Sequence, residues 1–241
     1  MTALLIGLLL RLHTNMHKAL GYVAYMSYLN IHFLDAREAL TDVRDWVRAS
    51  LTETFIKADA LLALRPIDVV VKPSVHVIPE KGHLGYAPEP GVVFVSVDPN
   101  SPVFRANSER SFERMFAHEL HHVARWDGPG YGGSLGQALV SEGLAGFFAR
   151  EVCGGAPEPW EGLSLSEIRR YIPRAERDWD SPNYDHAVWF FGHGTLPRWL
   201  GYSMGHQLIA RFLSEHPGTT AARLAEADAQ AFRDFLHLQG D

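Results

Sequence analysis

The chain has little cysteine: Cys153 is the only one among 241 residues. One thiol cannot form an intrachain disulfide, so the fold cannot rest on a disulfide framework, and this composition suits a reducing compartment. We therefore expect a cytoplasmic protein, with secretion as the alternative. Cys153 comes directly before two glycines at the predicted end of a helix, where a packed thiol is a better interpretation than a nucleophile.

Apolar runs long enough for a membrane and dense positive charge are also missing. The apolar run at residues 3–10 is too short to span a bilayer, and it lacks the basic residues that open a signal peptide. It is either upstream of a start at Met16 or Met26, or a first helix packed on the core. The net charge of −6, without any basic stripe, argues against nucleic-acid binding. We expect no membrane span and no nucleic-acid partner.

What the chain does contain is typical of one globular unit. It is 46% hydrophobic and 21% charged, and its length suits one core. We expect a single unit over residues 1–241 with three subregions. These are N-terminal helices at 30–65, a sheet with the active-site helices at 66–155, and a helical C-terminal part at 156–241.

The strongest motif is His118-Glu119-Leu120-His121-His122. Four residues make slightly more than one helical turn, so His118 and His122 project from one face and can bind one Zn²⁺, with Glu119 beside them. His121 points about 100° away and should miss the metal. Apolar residues at helical spacing predict the helix, with Ser108 or Ser111 as its N-cap and Gly128-Pro129-Gly130 ending it. The apolar residues at this spacing are Phe112, Met115, Phe116, Leu120 and Val123.

A second predicted helix follows the glycine-rich loop at residues 127–133. Ser134 can cap it, and Gly154-Gly155 can end it after about Val152. Glu142 lies among apolar positions of this helix, and a buried carboxylate requires a partner. The sequence favours a metal ion over a structural pairing with Arg or Lys.

Other patterns outline the remaining elements. Segments 67–71, 75–78 and 91–97 predict strands, with a loop at 82–90 between the last two. Helical periodicity predicts helices at 35–51, with Asp35 as N-cap, and at 52–64. After residue 155, Ser164-Leu165-Ser166-Glu167 predicts a capping box, 181–194 a loop, and 195–215 and 220–236 two helices.

Together these motifs resemble known metallopeptidases. His118-Glu119-x-x-His122 followed by Ser141-Glu142-Gly143-Leu144-Ala145 resembles the gluzincins, whose third zinc ligand is a Glu on the next helix. More narrowly, residues 30 to the C-terminus resemble the predicted zinc-dependent proteases called domain of unknown function 2268. The similarity adds His121, Arg125 and a late Gly201-Tyr202-x-x-Gly205 block. Thermolysin-like enzymes often place an Asp four residues after the Glu ligand, where this chain has Gly146.

The resemblance implies a zincin-like α+β fold. In this fold a small, mostly antiparallel sheet packs on the motif helix, with a mainly helical N-terminal segment and a helical C-terminal subdomain. It also implies peptide or protein substrates, and a sheet edge along which an extended peptide lies.

The expected activity is zinc-dependent peptide-bond hydrolysis. Zinc held by His118, His122 and Glu142 keeps a position for water and lowers the pKa of that water toward about 7. Glu119 then acts as general base. Tyr202 and His206, four residues apart on one helix face, are candidate oxyanion donors, and His193 is a third. Arg125 lies on the face of the zinc histidines and is predicted to pair with a carboxylate near the site.

Two alternatives to a peptidase stay open. One is a catalytically silent zincin-like protein that binds a peptide or partner, and the other is a zinc hydrolase of another amide or ester. Glu119 favours an enzyme, since a purely structural zinc needs no general base.

Overall fold

The computed structural model describes residues 28–237. The apolar run at residues 3–10 and the candidate starts at Met16 and Met26 lie outside this range. Four strands form the sheet: Leu29–Phe33 (β1), Ile67–Pro73 (β2), His83–Glu89 (β3) and Val92–Val97 (β4). The α-helices are Arg44–Leu62 (α1), Pro102–Ala106 (α2), Ser111–Trp126 (α3), Leu135–Cys153 (α4), Leu165–Arg169 (α5), Ile172–Asp178 (α6), His186–Phe191 (α7) and Leu200–Glu215 (α8). Short 3₁₀ helices lie at Ser108–Arg110, Pro159–Glu161, Ala222–Leu224 and Ala229–Leu236.

The sheet is mixed, with the strand order β1-β2-β4-β3. Strand β2 pairs in parallel with β1 and with β4, and only the β3–β4 pair is antiparallel. The prediction of a mostly antiparallel sheet is therefore wrong. Helix α1 carries the chain from β1 back to the start of β2, and such a crossover makes neighbouring strands parallel. An α+β fold with a small sheet is confirmed.

Only part of the strand prediction holds. Strands β2 and β4 form where β-branched runs predicted them, and their inward residues, such as Val69, Val71, Val93 and Val95, are fully buried. Residues 75–78 form no strand; Ile78 makes only an isolated bridge to His83. The predicted loop at 82–90 is strand β3, and strand β1 was not predicted at all.

The N-terminal subregion contains β1 and one helix, not helices alone. Residues 35–43 form turns, in which Asp35 accepts a hydrogen bond from the backbone N–H of Leu40 and caps no helix. The two predicted helices at 35–51 and 52–64 are the single helix α1, which ends at the left-handed Ala63.

The motif helix and its neighbour form as the pattern indicates, apart from one cap. In α3 neither Ser108 nor Ser111 is the cap; the side chain of Asn107 accepts from the N–H of Phe112. In α4 Ser134 is the N-cap and accepts from the N–H of Gln137, and the helix ends at Gly154 with φ +74°. Both helices are thus set by local sequence signals.

The C-terminal part is helical, as expected. Ser164 and Glu167 form the predicted capping box at α5. Residues 186–191 form helix α7 inside the segment predicted as a loop, and the last predicted helix is two 3₁₀ segments. Helix α8 starts at Leu200, five residues later than predicted, and it buries the apolar face that the spacing indicated.

Candidate metal centre

Helices α3 and α4 bring the side chains of His118, His122 and Glu142 together. One ligand atom of each lies within 4.8 Å of the others. Nε2 of His118 is 3.0 Å from Oε2 of Glu142 and 2.9 Å from Nε2 of His122, whose own distance to Oε2 is 3.6 Å. The side chains of His122 and Glu142 are buried, and that of His118 is 17% exposed, so the cluster opens to solvent at His118.

This donor set fits a zinc ion. Bonds of about 2.1 Å at tetrahedral angles place ligand atoms roughly 3.4 Å apart, which is close to the separations observed here. Two imidazole nitrogens and a carboxylate oxygen are a common set for catalytic zinc. Ligation through Nε2 leaves the proton of neutral His122 on Nδ1, which is buried and has no hydrogen-bond partner in residues 28–237.

The charges of the cluster are strongly coupled in the metal-free protein. Burial alone would lower the pKa of His118, but its hydrogen bond to Glu142, with the charges of Glu142, Glu119 and Glu161, raises that pKa to about 9. Burial lowers the pKa of His122 to about 4. Burial would raise the pKa of Glu142, and both histidines hold it well below its usual range. A bound cation must displace the His118 proton, because ligation requires neutral imidazole.

Glu119 lies between the metal cluster and strand β3. A Cβ on Gly85 would come within 2.8 Å of its Oε1, and the backbone of Ala87 hydrogen-bonds to the carboxylate. Burial raises the pKa of Glu119 to about 7, with His118 opposing and Glu142 reinforcing the shift. The carboxyl group is therefore placed to exchange a proton near neutral pH.

Tyr131 is a member of the cluster that the sequence did not single out. Its hydroxyl donates to Oε1 of Glu142, and its ring lies edge-on against His122 with centroids 4.6 Å apart. The available signal was its position, since it is the one aromatic residue in the short loop between the two ligand helices.

His121 and Arg125 lie behind the cluster. Nε2 of His121 is 3.2 Å from the carbonyl oxygen of Ala221, so it faces away from the other two histidines, as the helical spacing predicted. The fully buried Arg125 donates to the Ser141 hydroxyl and to backbone carbonyls, and it forms no ion pair with a carboxylate in residues 28–237. The expectation of a carboxylate partner for Arg125 is therefore wrong.

The three candidate oxyanion donors, which all lie in the C-terminal part of the chain, have different surroundings. Burial and the charges of Glu142 and Glu119 raise the pKa of Tyr202 well above 10, which keeps its hydroxyl protonated next to these carboxylates. His206 contacts Arg150 at 3.2 Å and stacks on Phe147. His193 is exposed, on the loop that follows α7.

Gly146 has no side chain, and the space beside it is occupied by the carboxylate of Glu161. A Cβ at Gly146 would lie 1.9 Å from Oε1 of Glu161, a buried residue of the 3₁₀ helix Pro159–Glu161. The charge of Glu161 is one of those that raise the pKa of His118. Only the fold brings this carboxylate to the ligand helix.

Comparison with known protein families identifies the family to which this chain belongs. The sequence model of the family described as "Predicted Zn-dependent protease (DUF2268)" matches residues 47–234, which include both ligand helices and α8. The chain belongs to this family. The match confirms the resemblance to the predicted zinc-dependent proteases called domain of unknown function 2268.

A curated relative carries no assigned activity. The uncharacterized protein YjfC of Bacillus subtilis (strain 168) is 29% identical over 164 residues, which are 57% of this chain and 50% of that protein. The chain thus spans about half the length of this relative. Within residues 28–237, no helix combines the length and apolar composition needed to cross a membrane.

Proposed function

We propose that this protein is a zinc metallopeptidase of the gluzincin type, with a zincin-like fold. The observation that carries the proposal is the convergence of His118, His122 and Glu142 on one point with Glu119 beside them. When bound, zinc supplies a Lewis acid that polarises a carbonyl group and makes water a nucleophile near neutral pH. His118, His122 and Glu142 would hold it.

Glu119 is the general base in this proposal. Its carboxylate takes a proton from the attacking water and later returns it to the leaving amine. In the metal-free protein, burial of this carboxyl group between α3 and β3 raises its pKa to about 7. A bound cation nearby would favour the ionised form, which is the form that accepts the proton of the water.

Strand β3 supports a peptide as the substrate. It lies at one edge of the sheet, where β4 is its one partner among the named strands of the described chain. His83 also bridges to Ile78, and the backbone of Ala87 already bonds Glu119 and Trp126, so another strand could pair with the outer backbone groups between His83 and Ala87. Gly85 of β3 packs directly against Glu119, while Leu84 and Tyr86 are exposed. A peptide added along this edge would pass beside the general base, held mainly by backbone hydrogen bonds.

Tyr202 is our proposed oxyanion donor. Its protonated hydroxyl lies within the field of Glu142 and Glu119, and it can donate without bringing a charge into the site. His206 is the weaker candidate, because its Nε2 already contacts Arg150 and its ring is stacked on Phe147.

The test measures metal content and peptide hydrolysis on the same purified proteins. Protein purified without added metal is analysed by elemental analysis, and a peptide mixture is followed by mass spectrometry. Wild type should hold one zinc per chain and cleave peptides, whereas His118→Ala/His122→Ala should lose both. Glu119→Gln should keep zinc and lose hydrolysis, because the near-isosteric amide cannot accept the proton.

Matched controls exclude general effects of substitution. His76→Ala and Glu80→Gln change exposed residues of the same types and should leave both readouts unchanged. Equal zinc in wild type and the double histidine variant would refute the site. Zinc without hydrolysis of any peptide would favour the silent binding protein, and cleavage of small esters or other amides alone would favour the non-peptidase hydrolase.

A further inference from the structure

Tyr131 binds the oxygen of Glu142 that faces away from the two histidines. Oε2 of Glu142 faces Nε2 of His118 and of His122, at 3.0 Å and 3.6 Å. Its other oxygen, Oε1, accepts the hydrogen bond of the Tyr131 hydroxyl. A carboxylate cannot donate, so the direction of this bond is fixed. The two oxygens of one carboxylate thus have separate partners.

The phenol ring and the backbone of Tyr131 are both held in place. The ring stacks on Trp126 at a centroid distance of 6.0 Å and meets His122 edge-on. The carbonyl of Tyr131 accepts from the Ser141 hydroxyl, which in turn accepts from Nε of Arg125 at 2.9 Å. Arg125 is fully buried. This chain of bonds fixes the loop between α3 and α4 at the residue that contacts Glu142.

We propose that Tyr131 is a positioning residue of the metal centre, whose hydroxyl holds Oε1 of Glu142 so that only Oε2 is available to the metal. This inference rests on the proposed zinc site. A free carboxylate can bind a metal through one oxygen or both, and a strong donor on one oxygen favours the single bond. Glu142 then takes one coordination position, and the substrate side of the site stays open.

The first experiment compares wild type, Tyr131→Phe and the control Tyr171→Phe. The exchange at 131 removes only the hydroxyl and keeps the ring between Trp126 and His122. Tyr171 is a half-buried tyrosine between α5 and α6, so the same chemical change there leaves the site intact. Zinc affinity is measured by competition with a chelator. We expect about 10–100-fold weaker binding for Tyr131→Phe, the usual effect of removing a partner of a metal ligand, and no change for Tyr171→Phe.

The second experiment reports ligation itself, so that a purely structural effect is recognised. X-ray absorption of the zinc-loaded proteins should show four nitrogen or oxygen neighbours in wild type and a fifth in Tyr131→Phe, where Oε1 is released. A fifth neighbour in wild type overturns the inference without any variant. Loss of a neighbour in Tyr131→Phe also overturns it, because Tyr131 would then be a ligand.

The remaining outcomes separate the inference from the proposed function. If wild type binds zinc and Tyr131→Phe binds it with the same affinity and the same number of neighbours, only the role of Tyr131 fails. If wild type binds no zinc, the metal centre and the inference fail together.

Discussion

A Cβ atom on Gly143 would lie 2.3 Å from the carbonyl oxygen of Gly205, so the backbones of α4 and α8 are in direct contact. The reverse also holds, since a Cβ on Gly205 would lie 2.3 Å from the carbonyl oxygen of Leu139. Glu142 precedes one glycine by one residue, and Tyr202 precedes the other by three, about one turn. This crossing therefore places the part of α8 that carries Tyr202 beside the part of α4 that carries Glu142.

We expect Gly205→Ala to destabilise the protein severely. The new methyl group meets backbone atoms of α4, which cannot rotate away as a side chain can. Overpacking a core in this way costs about 1–3 kcal/mol or more of unfolding free energy. Denaturant unfolding monitored by circular dichroism measures the loss. Gly128→Ala is the matched control, because its nearest neighbour atom would be 3.6 Å away. Equal stabilities for the two variants would contradict the close crossing.

Zinc should stabilise the fold through its three ligands. A ligand that binds only the folded state adds about 2.7 kcal/mol when its free concentration is 100 times its dissociation constant. Thermal unfolding of wild type should therefore shift upward with added zinc and downward with a chelator. His118→Ala/His122→Ala should show neither shift, and a shift of wild-type size in that variant would place the metal elsewhere.

Much of the candidate metal centre was readable from local sequence because its parts lie on two consecutive helices. His118 and His122 are one turn apart, and Glu142 is identified by being polar at a buried position of a capped helix. Tyr131 was not identified, because its role depends on a loop conformation that Ser141 and Arg125 fix. These contacts have no periodic signature in the sequence.

The sheet was harder to predict for a related reason. Residues 82–90 contain glycine and proline, the usual marks of a loop, yet the segment is the edge strand β3. Gly85 is there because a side chain would collide with Met115 and Glu119, a tertiary constraint that local patterns do not report. Strand direction likewise depends on the crossover made by α1, which residue alternation alone does not reveal.

His83 should make the stability of the protein fall in acid. It is buried against Ser111 and the rings of Phe104 and Phe112, and burial, with the charge of Lys81, lowers its pKa to about 3. In the unfolded chain its pKa is about 6.5, so below that pH the unfolded state binds the extra proton. Unfolding free energy is therefore lost as the pH falls from about 6.5 toward 3, by about 2–3 kcal/mol at pH 4.5.

The measurement compares wild type with His83→Gln in a chelating buffer. Glutamine keeps a hydrogen bond to Ser111 but does not titrate. The drop in unfolding free energy between pH 7 and pH 4.5 should be smaller in the variant by about that amount. The other titratable groups, carboxyls and histidines alike, are the same in both proteins and cancel in the difference. Identical pH dependence in the two proteins would show that His83 does not contribute.

The last prediction concerns the hydroxyl of Tyr202. Tyr202→Phe keeps the ring, which packs at right angles to Phe190 with centroids 5.0 Å apart, and removes only the proposed donor. Losing one oxyanion donor typically lowers kcat by about 10²–10³, and a donor used only in the transition state leaves KM nearly unchanged. Steady-state kinetics on a cleaved peptide tests both quantities.

His206→Ala is the competing variant, because His206 follows Tyr202 by four residues on α8. We expect it to lower kcat less, since its ring contacts Arg150 and Phe147 and its pKa responds to burial and Arg150 alone. If Tyr202→Phe retained full kcat while His206→Ala lost it, the donor would be His206. If KM rose for Tyr202→Phe with kcat unchanged, the hydroxyl would bind the substrate in its ground state and would not stabilise the oxyanion.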